Sequence, residues 1–292
     1  MRLGVFVSNE GDHMSRLGVA EMAVAAEEAG ADGLWVSDHL LMLDEPTTEY
    51  PFSDDGRPPW DMSDDYYEAI TCCAWIAAVT DRCRVGTAIL ILPQRNVLEV
   101  AKAIATIDRL SGGRLALGVG AGWYSGEMEA LGYDFGARGR RFDEMLEVLR
   151  ECWGGRPSRY DGDHVSIPDR VVLEPRPAQE RGVPILVGGM SGVARRRAAR
   201  LGDGWLAIAD GSRWDPDGLA AGLADVRARR PDGAAPLEAV LQLNADPDDP
   251  SRIAELAREA AQVGFEEVIV EAPWASGIDA SRAAIAAIRS AT

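Results

Sequence analysis

One stretch of the chain decides the fold: residues 25–37 read AAEEAGADGLWVS. Its first half has the composition of a helix. Gly30 supplies the left-handed residue on which helices often end, and a short apolar strand follows. The same order of helix, glycine and strand returns at residues 107–119, 198–207 and 260–270. Short apolar runs that helices separate are typical of a parallel sheet buried on both faces.

Eight such runs can be counted along the chain. They lie near residues 2–8, 33–38, 84–91, 114–120, 184–189, 204–209, 238–244 and 266–272. Eight strand–helix units in 292 residues match a (β/α)8 barrel in number and length. We therefore predict an α/β fold, a single (β/α)8 TIM barrel that spans residues 1–292 as one domain. The alternative is an open doubly wound sheet, but no G-x-G-x-x-G motif follows the first strand.

Two connections are longer than a barrel needs, those after strands 2 and 4. Residues 40–64 are rich in proline, aspartate and aromatic residues and show no helical periodicity. Residues 123–183 contain a predicted helix near 138–153 and a predicted hairpin within 156–177. Long loops are often functional, and both leave from the carboxyl ends of strands, where barrels build their active sites.

The composition limits the classes of function. Asp and Glu number 47 against 30 Lys and Arg, a net charge of −17, and 47% of the residues are hydrophobic. The hydrophobic content excludes a disordered chain, and the acidic charge argues against nucleic acid or an anionic membrane as a partner. The four cysteines form no C-x-x-C pair and no run of 18 apolar residues occurs. We therefore expect a cytoplasmic protein without a membrane span.

The pair Asp38-His39 follows directly on the second predicted strand. An imidazole at a barrel mouth can relay a proton near neutral pH. In the alternative interpretation, Asp38 caps the next turn and a backbone carbonyl satisfies His39. His13 and His164 lie in predicted loops and are expected to be solvated. The three histidines lack the spacing of metal ligands, so we predict no metal site.

Glycines mark two further strand ends. Residues 188–192 read GGMSG before a predicted helix, and glycines with a helix start favour an anion site, such as one for phosphate. The alternative is a plain helix cap by Ser191. Gly120 belongs to an alternating glycine run that leaves space for a flat ligand. Three tryptophans at predicted rim positions indicate a substrate pocket: Trp60, Trp123 and Trp274.

Four stretches together resemble the luciferase-like monooxygenases and, within that family, the deazaflavin (coenzyme F420)-dependent oxidoreductases. The stretches are GADGLWVSDH (30–39), GTAILILPQRN (86–96), LSGGRLALGVGAGW (110–123) and PILVGGMS (184–191). The resemblance implies a TIM barrel, commonly dimeric, that binds the deazaflavin or FMN at its carboxyl mouth. It implies a bulge at Ala88-Ile89, often with a cis peptide bond, that backs the cofactor ring.

The resemblance also assigns roles to single residues. Catalytic residues would be His39, Asp38 and Glu10, the last facing the substrate. Cofactor-binding residues would be Asp38, Ala88, Ile89, Gly120, Gly188, Gly189, Met190, Ser191 and Gly192. Four arginines are available for an acidic cofactor tail: Arg95, Arg138, Arg140 and Arg141.

The resulting expectation is an oxidoreductase that transfers a hydride between the deazaflavin C5 and a small organic substrate, with His39 as proton relay. One alternative is an FMN-dependent monooxygenase that uses O2. Another is a non-catalytic flavin-binding barrel. We further expect a homodimer, because the predicted helix at residues 97–110 carries more apolar surface than a monomer usually exposes.

Overall fold

Eight parallel strands close into a barrel in the computed structural model, which describes residues 1–51, 53, 55–58 and 60–292. The barrel strands are β1 (Arg2–Phe6), β2 (Gly33–Val36), β3 (Arg84–Ile91), β4 (Leu115–Gly120), β7 (Ile185–Gly188), β8 (Gly204–Asp210), β9 (Glu238–Asn244) and β10 (Glu267–Val270). Two short strands, β5 (Tyr160–Asp161) and β6 (Ser166–Ile167), form an antiparallel hairpin outside the barrel. Strand order around the barrel is β1-β10-β9-β8-β7-β4-β3-β2.

Ten α-helices surround these strands in the described residues. They are α1 (Asp12–Leu17), α2 (Val19–Glu28), α3 (Ala69–Val79), α4 (Val97–Leu110), α5 (Ser125–Ala130), α6 (Arg138–Trp153), α7 (Gly192–Leu201), α8 (Pro216–Ala228), α9 (Pro250–Val263) and α10 (Ile278–Ala291). Side-chain caps and left-handed glycines determine where helices begin and end, as two examples show. Asn96 accepts from the Leu98 N–H at the start of α4, and Gly264 ends α9 in the left-handed region.

Each strand contributes to two apolar layers. The barrel interior is filled by one side chain from each strand: Phe6, Trp35, Ala88, Ala116, Leu186, Leu206, Val240 and Ile269. On β2, Trp35 points into this interior, while Leu34 and Val36 pack outward in the larger core beneath the helices. Burial on both faces explains why the strands read as continuous apolar runs.

The predicted α/β barrel is confirmed, with strand bounds that differ from the predicted ones by at most two residues. The predicted helix near 138–153 is α6, and the predicted hairpin is β5–β6. The two long connections are present after β2 and β4. Residues 40–64 hold no helix or strand in the part that the structure describes.

The amino end of the barrel is closed by paired charges. Glu267 is fully buried, and its carboxylate accepts hydrogen bonds from Trp35 Nε1 at 2.7 Å and Arg2 Nε at 3.1 Å. Arg84 lies 3.2 Å from the same carboxylate and also pairs with Glu238. Every charge of this cluster therefore has an opposite charge beside it.

Candidate active site

A cavity of about 580 Å³ opens at the carboxyl end of the barrel strands. This is the end at which (β/α)8 enzymes place their active sites. The predicted site residues that line it are Glu10, Asp38, His39, Trp60, Ala88, Ile89, Gly120, Trp123, Gly188, Gly189, Ser191 and Trp274. Met190 and Gly192 are not among its described lining residues.

His39 is held by Glu127, a residue that the sequence analysis did not single out. The Nδ1 atom of His39 lies 2.7 Å from Glu127 Oε2, and both side chains are buried. The second oxygen, Oε1, accepts from the Leu40 N–H at 2.5 Å and from Gln94 Nε2 at 3.1 Å. A carboxylate only accepts hydrogen bonds, so the proton of the neutral imidazole sits on Nδ1. Nε2 is then the nitrogen that can exchange a proton with a molecule in the cavity.

Asp38 lines the same cavity, but both of its oxygens are engaged by the protein. Oδ1 accepts from Arg95 Nη2 at 2.6 Å, and Oδ2 accepts from the Ile91 N–H at 2.8 Å. Arg95 also pairs with Glu68 at 2.8 Å. Burial raises the pKa of Asp38, and the Arg95 charge opposes this. Asp38 thus ties the end of β2 to the end of β3 and fixes the segment that carries His39.

A bulge interrupts β3 at Ala88-Ile89. The register against β4 shifts here, and the peptide bond is cis, as the resemblance implied. The Ile89 side chain needs glycines on two neighbouring strands. A Cβ atom on Gly120 would lie 2.6 Å from Ile89 Cδ1, and one on Gly188 would lie 2.8 Å from Ile89 Cγ2. The two glycines therefore make room for Ile89 at the cavity wall.

The glycine turn after β7 leads directly into α7. Gly189 has a φ of 118°, and a Cβ atom there would lie 3.0 Å from Ala194 Cβ. Ser191 caps the helix, because its Oγ accepts from the Ala194 N–H at 3.1 Å. The alternative, a helix cap by Ser191, is therefore present. Ser191 and Ala194 also line the cavity, and an anion site at this helix start stays a prediction. The positive end of the helix dipole and a backbone without side chains suit an anionic group.

Glu10 lies opposite the long connection after β2. Its backbone bridges to Tyr66, and Ser37 Oγ donates to Glu10 Oε2 at 3.5 Å. Tyr66 in turn donates its hydroxyl proton to Ser37 Oγ at 2.6 Å. Burial raises the pKa of Glu10, against the lowering effect of Tyr66 and of nearby His39. Burial and the charge of Glu10 raise the pKa of Tyr66 well above its usual range.

Glu271 follows β10 and faces the same cavity. Solvent reaches its side chain through the cavity, yet the surrounding walls raise its pKa, and the charge of Glu10 raises it further. Burial together with these two carboxylates raises the pKa of Tyr50 to about 12. Glu271 has no hydrogen-bond or ion-pair partner among the residues that the structure describes. Glu10, Tyr50 and Glu271 therefore interact electrostatically on one side of the cavity.

Aromatic rings form the wall beside His39. Trp60 and Trp123 each lie with ring centroids 5.9 Å from the imidazole. Tyr50 meets both tryptophans edge to face, at 5.3 and 5.1 Å. Trp274 is 4% exposed and donates its indole N–H to the Phe6 carbonyl at 2.8 Å. The structure thus brings all three predicted pocket tryptophans to the cavity.

His13 corrects one expectation from the sequence. Its expected place in a solvated loop is wrong: His13 lies on α1, lines the cavity, and has its Nε2 atom 2.8 Å from Ser8 Oγ. The short helix α1 follows a glycine and contains Ser and His, so its composition resembled a turn. His164 is half-buried, with its Nε2 atom buried and without a partner in the described residues.

Three of the four arginines expected to be available are engaged within the protein. Arg95 pairs with Asp38, and Arg141 donates to the Pro93 carbonyl at 2.8 Å and to two further carbonyls. Arg138 donates to the Phe135 carbonyl and stacks on its ring. Arg197, on α7, is a cavity-lining arginine that the sequence analysis missed, and it pairs with Asp143 at 2.6 Å.

Within the described ranges, no group of three or more His, Cys, Asp or Glu side chains could hold a metal ion. No helix in that same part of the chain is both long and apolar enough to cross a bilayer.

The sequence of this chain is similar to those of known proteins. An uncharacterized protein of Mycobacterium tuberculosis (strain ATCC 25618 / H37Rv) is 34% identical over 209 residues, which cover 72% of this chain and 70% of that protein. The F420-dependent glucose-6-phosphate dehydrogenase of Amycolatopsis mediterranei (strain U-32) is 33% identical over 196 residues, 64% of this chain. The matched part spans 52% of that dehydrogenase.

Solved structures show the same fold. An F420-dependent secondary alcohol dehydrogenase in complex with an F420-acetone adduct superposes with a TM-score of 0.75 at 19% identity, over 99% of both chains. The monooxygenase RslO1 from Streptomyces bottropensis superposes with a TM-score of 0.74 at 18% identity, over 98% of both chains. The family model of luciferase-like monooxygenases matches residues 1–245. This chain therefore belongs to the luciferase-like monooxygenase family.

Proposed function

We propose that this chain, acting as one domain over residues 1–292, is a coenzyme F420-dependent oxidoreductase for a small organic substrate. The observation that carries the proposal is the imidazole of His39, which lines the cavity and whose Nδ1 atom lies 2.7 Å from Glu127. A buried, oriented imidazole is suited to exchange a proton with a bound molecule near neutral pH. Relatives named as F420-dependent dehydrogenases support the choice of cofactor.

The residues present fit a flat cofactor with a phosphate-bearing tail. Ala88-Ile89 would lie behind the cofactor ring, because Gly120 and Gly188 leave space for the Ile89 side chain at that wall of the cavity. The turn at Gly189 and the start of α7 would hold a phosphate through backbone N–H groups. When bound, the reduced deazaflavin supplies a hydride from C5, and this is the chemistry that the side chains around it would complete.

The chain's own residues would position the substrate and handle the proton. Nε2 of His39 would accept the hydroxyl proton when an alcohol is oxidised, and it would return a proton when a carbonyl is reduced. Glu127 keeps the other nitrogen protonated and stabilises the imidazolium that forms. Asp38 would act as a positioning residue, because both of its oxygens already accept hydrogen bonds. Trp60 and Trp123 would exclude water from the reacting atoms.

The experiment is a titration of the purified protein with F420 and, separately, with FMN, following the fluorescence of each cofactor. We expect F420 to bind more tightly than FMN, and we expect substrate turnover in the absence of O2. Tighter binding of FMN with turnover that depends on O2 would establish the monooxygenase alternative. Binding of a flavin without any turnover would indicate the non-catalytic barrel, and binding of neither would refute the proposal.

The proposal includes a homodimer, with a different basis from the one first expected. Helix α4 packs its apolar face against the outside of the barrel. Leu110, with 81% of its surface exposed, is its main exposed apolar residue. Helix α3 instead exposes Trp75, at 59%, beside exposed alanines. Sedimentation should give twice the monomer mass of 31.4 kDa, and Trp75→Glu should give the monomer. The location that we propose is cytoplasmic, since the four cysteines are free thiols.

A further inference from the structure

Among the described residues, four hydrogen-bond donors converge on the buried carboxylate of Glu127. Its Oε2 atom lies 2.7 Å from His39 Nδ1, and Oε1 accepts from the Leu40 N–H at 2.5 Å and the Leu41 N–H at 3.4 Å. The fourth donor is Gln94 Nε2, 3.1 Å from Oε1. A carboxylate offers about four lone-pair positions, so these donors fill them. The orientation of the carboxylate therefore depends on where its donors lie.

Gln94 differs from the other donors in the element that carries it. The two backbone donors directly follow His39 in the chain, so their positions are coupled to that of the imidazole. Gln94 instead ends the short turn Leu92–Gln94, which comes directly after β3. The bulge of β3 at Ala88-Ile89 forms one wall of the cavity. The bond from Gln94 thus fixes the Glu127 carboxylate relative to that wall.

Within the described residues, the Gln94 side chain makes this hydrogen bond and no other. The residue is 2% exposed, and its Oε1 atom is buried without a partner in the same part of the chain. If the amide were turned over, its oxygen would face the Glu127 carboxylate, and two acceptors would repel each other. Gln94 does not belong to the described lining of the cavity. Its influence on a bound molecule therefore passes through Glu127 and His39.

Asp38 and Gln94 hold different parts of the His39 segment. The two hydrogen bonds of Asp38 fix the backbone next to His39. Gln94 acts on the ring, because the carboxylate that it holds contacts Nδ1. Loss of the Gln94 donor should therefore release the imidazole and leave the path of the chain unchanged.

We propose that Gln94 is a positioning residue of the active site, which holds Glu127 Oε2 against His39 Nδ1 and so keeps the proton of the neutral imidazole on that nitrogen. The hydrogen bond that one ring nitrogen makes sets the tautomer of a histidine. With Gln94 in place, the lone pair stays on Nε2, the atom that would accept the substrate's proton. Without the donor, the carboxylate can rotate away from Nδ1 and the proton can move to Nε2. The expected effect on turnover rests on the proposed function, whereas the effect on the tautomer does not.

The test compares Gln94→Met, which keeps the length of the side chain and removes the donor, with Gln179→Met as a matched control. Gln179 Nε2 donates to the buried carboxylate of Asp108 at 2.8 Å, near the start of β4 at the amino end of the barrel. Long-range ¹H–¹⁵N NMR spectra of the protein without cofactor distinguish the two tautomers of a neutral imidazole, and His39→Ala assigns the signals. We expect Nδ1–H in the wild type and in Gln179→Met, and a substantial fraction of Nε2–H in Gln94→Met.

Oxidation of 2-propanol with F420 gives a second readout. Gln94→Met should lower kcat by up to about 100-fold, as expected when a reacting group is misplaced by about 1 Å. KM should stay nearly unchanged, because Gln94 is outside the described lining of the cavity. In the His39→Ala background, the same substitution should cause no further loss. Gln94→Asn, which moves the donor back by one methylene, should shift the tautomer in the same direction and serves if Gln94→Met does not fold.

An unchanged tautomer in the folded variant, whether or not kcat falls, would overturn the inference and leave Gln94 as a structural residue. A further loss of turnover in the His39→Ala background would overturn it as well. A changed tautomer in a protein that does not bind F420 would support the inference and refute the proposed function alone.

Discussion

Two glutamates, one at the start of β10 and one directly after its end, show how differently the two ends of the barrel are built. Glu267 begins β10 at the amino end, fully buried, and its carboxylate contacts Trp35 and Arg84. Glu271 lies four positions later at the carboxyl mouth, without a partner in the described residues. The same residue type thus belongs to an ion-pair cluster at one end, while at the other end it has no protein partner among the described residues. In barrel enzymes these ends serve stability and catalysis respectively.

The charged residues around the two glutamates differ as well. Arg2, Arg84 and Glu238 give the amino end a charge balance that needs no ligand. At the mouth, burial raises the pKa of both Glu10 and Glu271, so these groups are held at a cost to the folded state. Groups with such shifts cluster at functional sites, where a ligand offsets the cost. Substitutions at the two ends should therefore differ in what they change.

The largest effect is expected at His39. His39→Ala should lower turnover at saturating cofactor by about 10²–10⁴-fold, the usual contribution of a general acid or base, and should leave cofactor affinity nearly unchanged. The measurement is steady-state turnover from pH 5 to pH 9 alongside cofactor titration. His164→Ala, in the hairpin loop, is the matched control and should behave as the wild type. If the variant keeps its turnover but binds the cofactor weakly, His39 forms part of the cavity wall and does not transfer the proton.

At the opposite end, Glu267→Gln should change stability and leave the chemistry intact. The substitution leaves Arg2 and Arg84 with only Glu238 as a carboxylate partner. Breaking a buried ion pair costs about 3–5 kcal/mol, and we expect about 3 kcal/mol here because Arg2 is partly exposed to water. Urea unfolding at pH 7 measures this loss. Turnover per folded molecule should match the wild type, and a selective loss of turnover would contradict the division between the two ends.

A substitution in the glycine turn tests the proposed anion site at the mouth. Gly189→Val adds a branched side chain where φ is 118° and where Ala194 Cβ lies 3.0 Å from the new Cβ. We expect cofactor affinity to fall by about 10–100-fold, which corresponds to the loss of one hydrogen bond to a charged group.

Gly233→Val is the matched control for the glycine turn. Gly233 also has a positive φ, but its Cβ would meet nothing within 4 Å, and it lies in the turn before β9. It should therefore lose stability without losing cofactor affinity. Equal affinities of the two variants would remove Gly189 from the cofactor site.

A feature of the fold or of the site could be predicted from the sequence where a pattern within a few residues marks it. The eight strands were predictable because each is a short apolar run after a helix end, and both features lie within a few residues. The turn at 188–192 and the bulge at Ala88-Ile89 were likewise carried by contiguous motifs. Glu127 was missed because it reaches His39 across 88 positions in the chain, and no local pattern marks such a contact.

The unpaired charge of Glu271 was also beyond the sequence. One glutamate after a strand looks like any solvated strand end, and the sequence does not show which other charges share its surroundings. Tyr50 belongs to a long connection without periodicity, so its approach to Trp60 and Trp123 depends on tertiary packing alone. The arginines near the mouth were overestimated as ligand contacts, because their partners, such as Asp38 for Arg95, are distant in sequence.

The smallest effect, and the sharpest contrast with Glu267, is expected from Glu271→Gln. The pKa of Glu271 is raised in the folded protein above its usual 4.5, so the folded state binds this proton more strongly than the unfolded state. Wild-type stability is therefore lost at this site as pH rises from 4.5 through the folded-state pKa. A glutamine has no proton to lose, so the variant should be more stable than the wild type at pH 7 and equally stable at acid pH. Urea unfolding at both pH values measures the difference. Destabilisation at pH 7, as expected for Glu267→Gln, would mean that Glu271 has a partner and that the two ends of β10 are alike.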